Sequence, residues 1–240
     1  MQSKYKKTVI ITGANRGIGL ALVTKYIEQG FRVIGTYRTD KKVIEELGAT
    51  AVKLDLEQLE EMNHFACWLE EHFEHIDILI HNAALSHYHW DLPKEQKNVF
   101  LGDLEPSGLE RMIRINALVP LLLSQRLLPL LEKASHPKIM FLSTRKGSMS
   151  LVNEMGGGNY GYRGSKTLLN MWATLLAKDV APKGICVNTI HPGWVRTQMG
   201  GMDAPLSTRE SAEQLFQLID HVSMKDSGRF LKLDGTIHPY

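Results

Sequence analysis

T-V-I-I-T-G-A-N-R-G-I-G, residues Thr8 to Gly19, runs from a short apolar segment straight into a cluster of glycines. An apolar run that stops at Gly13 reads as a strand buried on both faces, as in a parallel sheet. Ile18 to Gln29 then carries apolar residues at helical spacing, and Gly30 stands where a C-cap glycine belongs. Between strand and helix the glycines follow G-x-x-x-G-x-G, not the commoner G-x-G-x-x-G. Glycine permits the tight turn and lets backbone amides approach a pyrophosphate, which then rests on the positive end of the helix. A glycine cluster alone also reads as a plain tight turn. Its strand-turn-helix setting predicts dinucleotide binding through Gly13, Asn15, Arg16, Gly17, Ile18 and Gly19.

Outward from this turn, strands and helices alternate. Arg32 to Tyr37, Ala51 to Leu54, Ile76 to Ile80, Ile139 to Leu142, Ile185 to Ile190 and Phe230 to Leu233 read as further strands. Lys41 to Leu47, Leu56 to Phe73, Arg111 to Leu131 and Tyr162 to Lys178 read as helices, the second presenting Leu59, Met62, Phe65, Ala66, Leu69 and Phe73 on one face. The pattern predicts one α/β domain over residues 1–240: a Rossmann-type, doubly wound parallel sheet in three layers with right-handed crossovers. Ligands bind at the carboxyl ends of such strands, where the strand order reverses.

The formal net charge of +2 gives no basic stripe for nucleic acid. Lys4, Lys6 and Lys7 precede the first strand without an apolar signal core, and no apolar stretch reaches the length of a membrane span. Cys67 and Cys186 are the only cysteines, one in a helical pattern and one in a strand. A disulfide framework is not expected, and a cytoplasmic location is.

The end of the second strand bears on cofactor choice. A carboxylate there would bind a ribose 2′-hydroxyl, whereas a basic residue accommodates a 2′-phosphate. Tyr37 is followed by Arg38, with no carboxylate before Asp40, and Arg16 in the glycine turn can approach the same phosphate. NADP(H) is therefore expected over NAD(H). Tyr162 and Lys166 stand at i and i+4 in Y-R-G-S-K, so on a helix the ammonium can approach the phenol. A nearby positive charge favours phenolate, and a tyrosine so tuned serves as a general acid or base. Tyr37 and Lys41 share the spacing by accident, which is why the pair needs the glycine turn beside it.

With these features in this order, the chain resembles the short-chain dehydrogenase/reductase family over essentially its whole length. It is most similar to the C-factor and sniffer-type carbonyl reductases, through H-P-G-W-V-R-T-Q-M-G-G (His191 to Gly201) and D-S-G-R-F-L-K-L-D-G (Asp226 to Gly235). The resemblance implies reduction of an aldehyde, ketone or quinone by NADPH, with Tyr162 protonating the carbonyl oxygen and Lys166 binding the ribose. It implies that Asp55 and Leu56 contact adenine, and that Asn116 holds a water of a proton relay behind Lys166. Pro192, Gly193, Val195 and Thr197 would grip the nicotinamide carboxamide. The segment that usually reads N-N-A-G is His81-Asn82-Ala83-Ala84, which keeps Asn82 and Ala83 but adds bulk near the cofactor. The usual S-S-x-x-G is Ser143-Thr144-Arg145-Lys146-Gly147, which assigns the oxyanion donor to Thr144.

Other features compete. His87 and His89 form H-x-H, yet no cysteine or carboxylate cluster supports a metal, and none is expected. Tyr88 and Trp90 read equally as pocket lining or core cover. Gly156-Gly157-Gly158 reads as a flexible loop. The short connection from Thr197 to a helix near Ser211 implies a short substrate lid. Apolar helices over Met112 to Leu131 and Leu168 to Leu176 suggest a homodimer or homotetramer. The alternative to an enzyme is a nucleotide-binding signalling or sensor protein of the C-factor type with little turnover.

Overall fold

The computed structural model describes residues 7–86 and 99–240, so His87, Tyr88, His89 and Trp90 lie outside the described residues. Its strands are β1 (Thr8–Ile11), β2 (Arg32–Tyr37), β3 (Thr50–Lys53), β4 (Ile78–His81), β5 (Lys138–Leu142), β6 (Cys186–Ile190) and β7 (Phe230–Leu231). They form one sheet in the order β3-β2-β1-β4-β5-β6-β7, with every neighbouring pair parallel. The order reverses between β1 and β4, and there the glycine turn leaves the sheet.

Alternate side chains of each strand face opposite ways, so each strand feeds two cores. Ile10, Leu79, Ile139, Phe141 and Val187 meet α3 (Leu59–His72), α5 (Val119–Leu131) and α6 (Tyr160–Val180) on one face. Val9, Ile11, Ile80, Met140 and Leu142 meet α1 (Gly17–Glu28) and α7 (Thr208–His221) on the other. The short α2 (Lys42–Glu46) joins this second face through Ile44. Three layers result. On α3, Met62, Phe65, Ala66 and Leu69 are buried as the periodicity predicts, but Leu59 at the first turn is exposed.

The expected helix over Arg111 to Leu131 is three pieces: α4 (Pro106–Ile113), a π-turn (Arg114–Leu118) and α5. Pro120 has no N–H to return to the carbonyl of Asn116 four residues before it, and the helix widens there. The whole run Pro106–Leu131 is long and apolar enough by composition to cross a membrane, but half of its apolar window is buried in the protein. It is a core helix. The helix near Ser211 is α7, started by a capping box in which Ser207 accepts from the Glu210 amide at 3.1 Å and Glu210 accepts from the Ser207 amide at 2.8 Å.

Candidate active site

The turn after β1 has the geometry glycine allows. Gly13 and Gly17 lie in the left-handed region, at φ 64° and 57°. At Gly19 a Cβ would fall 2.2 Å from the Gly13 carbonyl and 2.5 Å from the Asn82 amide nitrogen, so only glycine fits. Asn82 braces the turn by donating to Thr12 O at 2.9 Å and Gly13 O at 3.0 Å, while the Asn82 and Ala83 amides donate to the Thr12 hydroxyl, each at 3.1 Å. No side chain caps the first turn of α1 and no acidic residue occupies it. Its amides and dipole are left to an anion.

A cleft of about 1310 Å³ runs along the carboxyl ends of the strands. Arg38, Asp55 and Leu56 line one end, Gly13, Asn15, Arg16, Gly17 and Ile18 the middle, and Tyr162, Lys166, Pro192 and Thr197 the other. Asp55 accepts from the Glu57 amide at 3.0 Å through one carboxylate oxygen, and Leu56 packs on the Leu85–Met112–Ile115 cluster. Arg16 is hydrogen-bonded to Gln198 on the loop after β6, which couples the glycine turn to that loop. Gly193 and Val195 do not line this cleft. Gly193, at φ 84°, faces a neighbouring one, and Val195 is buried and bridged to Leu206. The loop is compact: Trp194 donates to Gly200 O at 2.7 Å, and Arg196 to Ala204 O and Pro205 O at 2.9 and 2.7 Å.

At the far end Tyr162 and Lys166 share a face of α6, but the charge arrangement differs from expectation. Lys166 is buried and donates to the Leu142 carbonyl at 2.7 Å. Burial pushes its pKa down to about 7. Burial likewise pushes the Tyr162 phenol up to about 12, opposed only by a hydrogen bond with the Thr144 hydroxyl. The low-dielectric surroundings disfavour both charged forms, so the tyrosine stays protonated through neutral pH.

The two hydroxyls after β5 are separated by their partners. Ser143 is buried and donates to Asn170 Oδ1 at 2.6 Å, although it too lines the cleft. Thr144 accepts from the Lys146 amide at 3.2 Å, which leaves its proton for Tyr162 or a bound oxygen. Asn116, in the π-turn, accepts from the Leu85 amide at 2.7 Å and donates to Leu85 O and Ser165 Oγ at 2.8 and 2.9 Å. Both side-chain donors are thus spent on bracing α6 against the loop after β4.

The extra bulk expected from His81 and Ala84 comes from Ala84 alone, which lines the cleft. His81 adds no bulk to the cleft: it is 3% exposed, stacks on Phe141 at 4.7 Å and meets Ser124 at 2.8 Å inside the sheet–α5 layer. Burial, and then the Lys166 charge, push its pKa down to about 3. The Gly156–Gly158 tract is tied, since Arg163 donates to Gly156 O at 2.7 Å and a Cβ on Gly158 would strike Val99 O at 2.7 Å. Sequence reasoning also missed Asn170 and Gln198. Asn170 follows Lys166 at i+4 on α6, a signal that could have found it; Gln198 carries no such signal. Among the described residues no cluster of histidine, cysteine and carboxylates could hold a metal.

Known proteins share this fold. A model of the short chain dehydrogenase family matches residues 7–205. The C-signal of Myxococcus xanthus is 35% identical over 165 residues, covering 69% of this chain and 93% of that protein. Carbonyl reductase Sniffer of D. melanogaster superposes with a TM-score of 0.86 at 28% identity, over 98% of this chain and 99% of that one. An NADPH-bound carbonyl reductase from chicken fatty liver gives 0.87 at 28% identity, over 98% and 100%. Glycine turn, parallel sheet and the Tyr162–Lys166 face therefore stand together in a chain that belongs to the short chain dehydrogenase family of oxidoreductases.

Proposed function

We propose that the protein is an NADPH-dependent reductase of a small-molecule aldehyde, ketone or quinone. The observation that carries this reading is that Tyr162 and Lys166, one helical turn apart on α6, both line the glycine-turn cleft, with Thr144 beside the phenol. The uncapped start of α1 and the glycine cradle suit a pyrophosphate, and Arg38 and Arg16 suit a 2′-phosphate. The nicotinamide, when bound, supplies the hydride. Thr144 donates a hydrogen bond where negative charge develops on the carbonyl oxygen, and Tyr162 gives that oxygen its proton. Lys166 holds the ribose, and its positive form steadies the tyrosinate left behind. Asp55 and Leu56 hold the adenine end. Asn82 and Asn116 act one layer back, bracing the turn and the helix. An assay of NADPH oxidation over a carbonyl panel tests the reading; no turnover on any member would sink it.

Arg38→Asp should lower NADPH affinity and spare NADH. A charged hydrogen bond of this type contributes ~1.5–3 kcal/mol. Fluorescence titration of both cofactors checks it, and equal affinities in the wild type would remove the NADP assignment.

Thr144→Val should lower turnover by ~10²–10³ if its hydroxyl stabilises the oxyanion. Ser143→Ala should act on stability through Asn170 and leave turnover far less affected. Steady-state kinetics on one good substrate separates the two. Loss confined to Ser143→Ala would reverse the assignment.

We also propose a cytoplasmic homodimer or homotetramer. Cys67 and Cys186 are free thiols, and Met171 and Leu175 stand exposed one turn apart on α6. A monomer by light scattering would contradict the assembly. The competing reading, a signalling protein with little turnover, draws on the likeness to C-signal. A binding-only protein needs the glycine turn but not Tyr162, Lys166 and Thr144 together, so the enzyme is favoured.

A further inference from the structure

Asn170 is 2% exposed and lies one helical turn beyond Lys166 on α6. A buried amide is costly unless its oxygen and nitrogen find partners, and here each finds one on the loop after β5. Its Oδ1 accepts from the Ser143 hydroxyl at 2.6 Å, and its Nδ2 donates to the Gly147 carbonyl at 3.3 Å. These two partners flank Thr144. A single planar amide therefore grips the chain on either side of the hydroxyl that is bonded to Tyr162.

Little inside the loop itself fixes Thr144. It precedes one 3₁₀ turn (Arg145–Gly147), in which the Gly147 amide donates to the Thr144 carbonyl at 2.9 Å and the Ser148 amide to the Arg145 carbonyl at 3.1 Å. So short a turn is weak without tertiary support. Arg145 and Lys146 are exposed, whereas Gly147 is buried against α6, where a Cβ would fall 3.0 Å from the Lys166 carbonyl carbon. The near flank is held by the sheet as well, since the Ser143 amide donates to the Ile190 carbonyl at 2.8 Å. The far flank hangs on Asn170 and on Thr167, whose hydroxyl donates to the same Gly147 carbonyl at 3.0 Å. Threonine is β-branched and stiff at χ1, so its hydroxyl points where the main chain sends it.

We propose that Asn170 is a positioning residue for the reduction: it ties Ser143 to Gly147 and so aims the Thr144 hydroxyl at the carbonyl oxygen of the substrate. The proposal rests on the role given to Thr144 above, but its structural half can be read without turnover. Ser143→Ala breaks only one of the two bonds, on the flank that the sheet also holds, and so costs turnover little.

Asn170→Leu, of similar volume, removes both bonds. It should lower kcat about tenfold or more, because a small misplacement of a reacting group is costly, and leave the NADPH Kd within about twofold of wild type. A double-mutant cycle decides the route of the effect. In a Thr144→Val background Asn170→Leu should cost no further turnover, because the hydroxyl it aims is already gone. A residue that only supported the fold, or that acted through Lys166 and Tyr162, would lower both backgrounds equally, and that result overturns the proposal. Asn170→Leu also leaves Ser143 without its acceptor and should lower Tm. The pair Ser143→Ala/Asn170→Leu removes both partners and should recover Tm but not turnover; recovery of both would overturn the proposal. Without substrate, amide exchange of the peptide over residues 143–150, read by mass spectrometry, should quicken in Asn170→Leu, and an unchanged rate would overturn the clamp. Faster exchange in a protein whose wild type reduces no carbonyl would uphold the clamp and overturn the reductase reading instead.

Discussion

Tyr162→Phe is expected to cut carbonyl reduction by ~10²–10⁴ while NADPH affinity stays nearly intact. The phenyl ring keeps its place in the cleft wall and on the Leu85–Met112–Ile115 cluster, so packing survives. The proton that neutralises the alkoxide is lost. Because burial holds the phenol at about 12, the wild-type tyrosine is a protonated acid across pH ~6 to ~9, the range over which rates should be compared. Tyr37→Phe is the control. Tyr37 ends β2 at the end of the cleft lined by Arg38 and Asp55, away from Tyr162, and its loss should leave turnover almost unchanged. Rates are measured at saturating NADPH. A Tyr162→Phe protein with wild-type turnover would make the signalling reading the better account.

Lys166→Met is expected to abolish turnover and yet raise thermal stability at pH 6. Lys166 is 2% exposed, and its pKa falls from the model-compound value of 10.5 to about 7 on folding. Between those values the unfolded chain binds more protons than the folded one, so stability rises with pH across that window. Below about pH 7 the folded protein carries the whole cost of burying an ammonium. Three to four pKa units correspond to roughly 4–5 kcal/mol. The lost hydrogen bond to the Leu142 carbonyl returns about 1 kcal/mol of that. A net gain of about 3 kcal/mol should shift Tm upward by roughly 6–12 °C for a chain of this length. Calorimetry at pH 6 and pH 10 checks both sign and slope: the advantage of Met over Lys should shrink toward the higher pH. An unchanged or lowered Tm at pH 6 would show that the ammonium is well solvated or well paired. Stability surrendered at this position is the cost of placing a titratable amine inside the wall of a cleft.

The layered core was legible because it follows from local periodicity. Apolar runs such as Val9 to Ile11 and helical stripes such as Met62, Phe65, Ala66 and Leu69 need no knowledge of distant residues. Strand ends moved by a residue or two, as at β4, which starts at Ile78 and runs on to His81. There an apolar count ends early, because the last strand residue is a histidine satisfied by Ser124 from another element. The π-turn had a local signal in Pro120, but an apolar stripe that continues through Arg111 to Leu131 conceals a change of helical pitch.

By itself the sequence determined the architecture, the glycine turn and the set of polar residues gathered at the strand ends. Each of these is written in short-range spacing: a two-residue period, a helical turn, a glycine where a Cβ has no room. Only the tertiary structure decided which way the polar side chains point. Ser143 turns to Asn170 and leaves Thr144 to Tyr162; Lys166 reaches for the Leu142 carbonyl; His81 turns inward to Ser124; Arg16 meets Gln198 across the cleft. In each case the hydrogen-bond partner is remote in sequence or could have been several groups. The choice among them is made by burial, which penalises any polar group left unpaired. The same burial raised the Tyr162 pKa, opposite to what its spacing from Lys166 implied, and lowered that of Lys166.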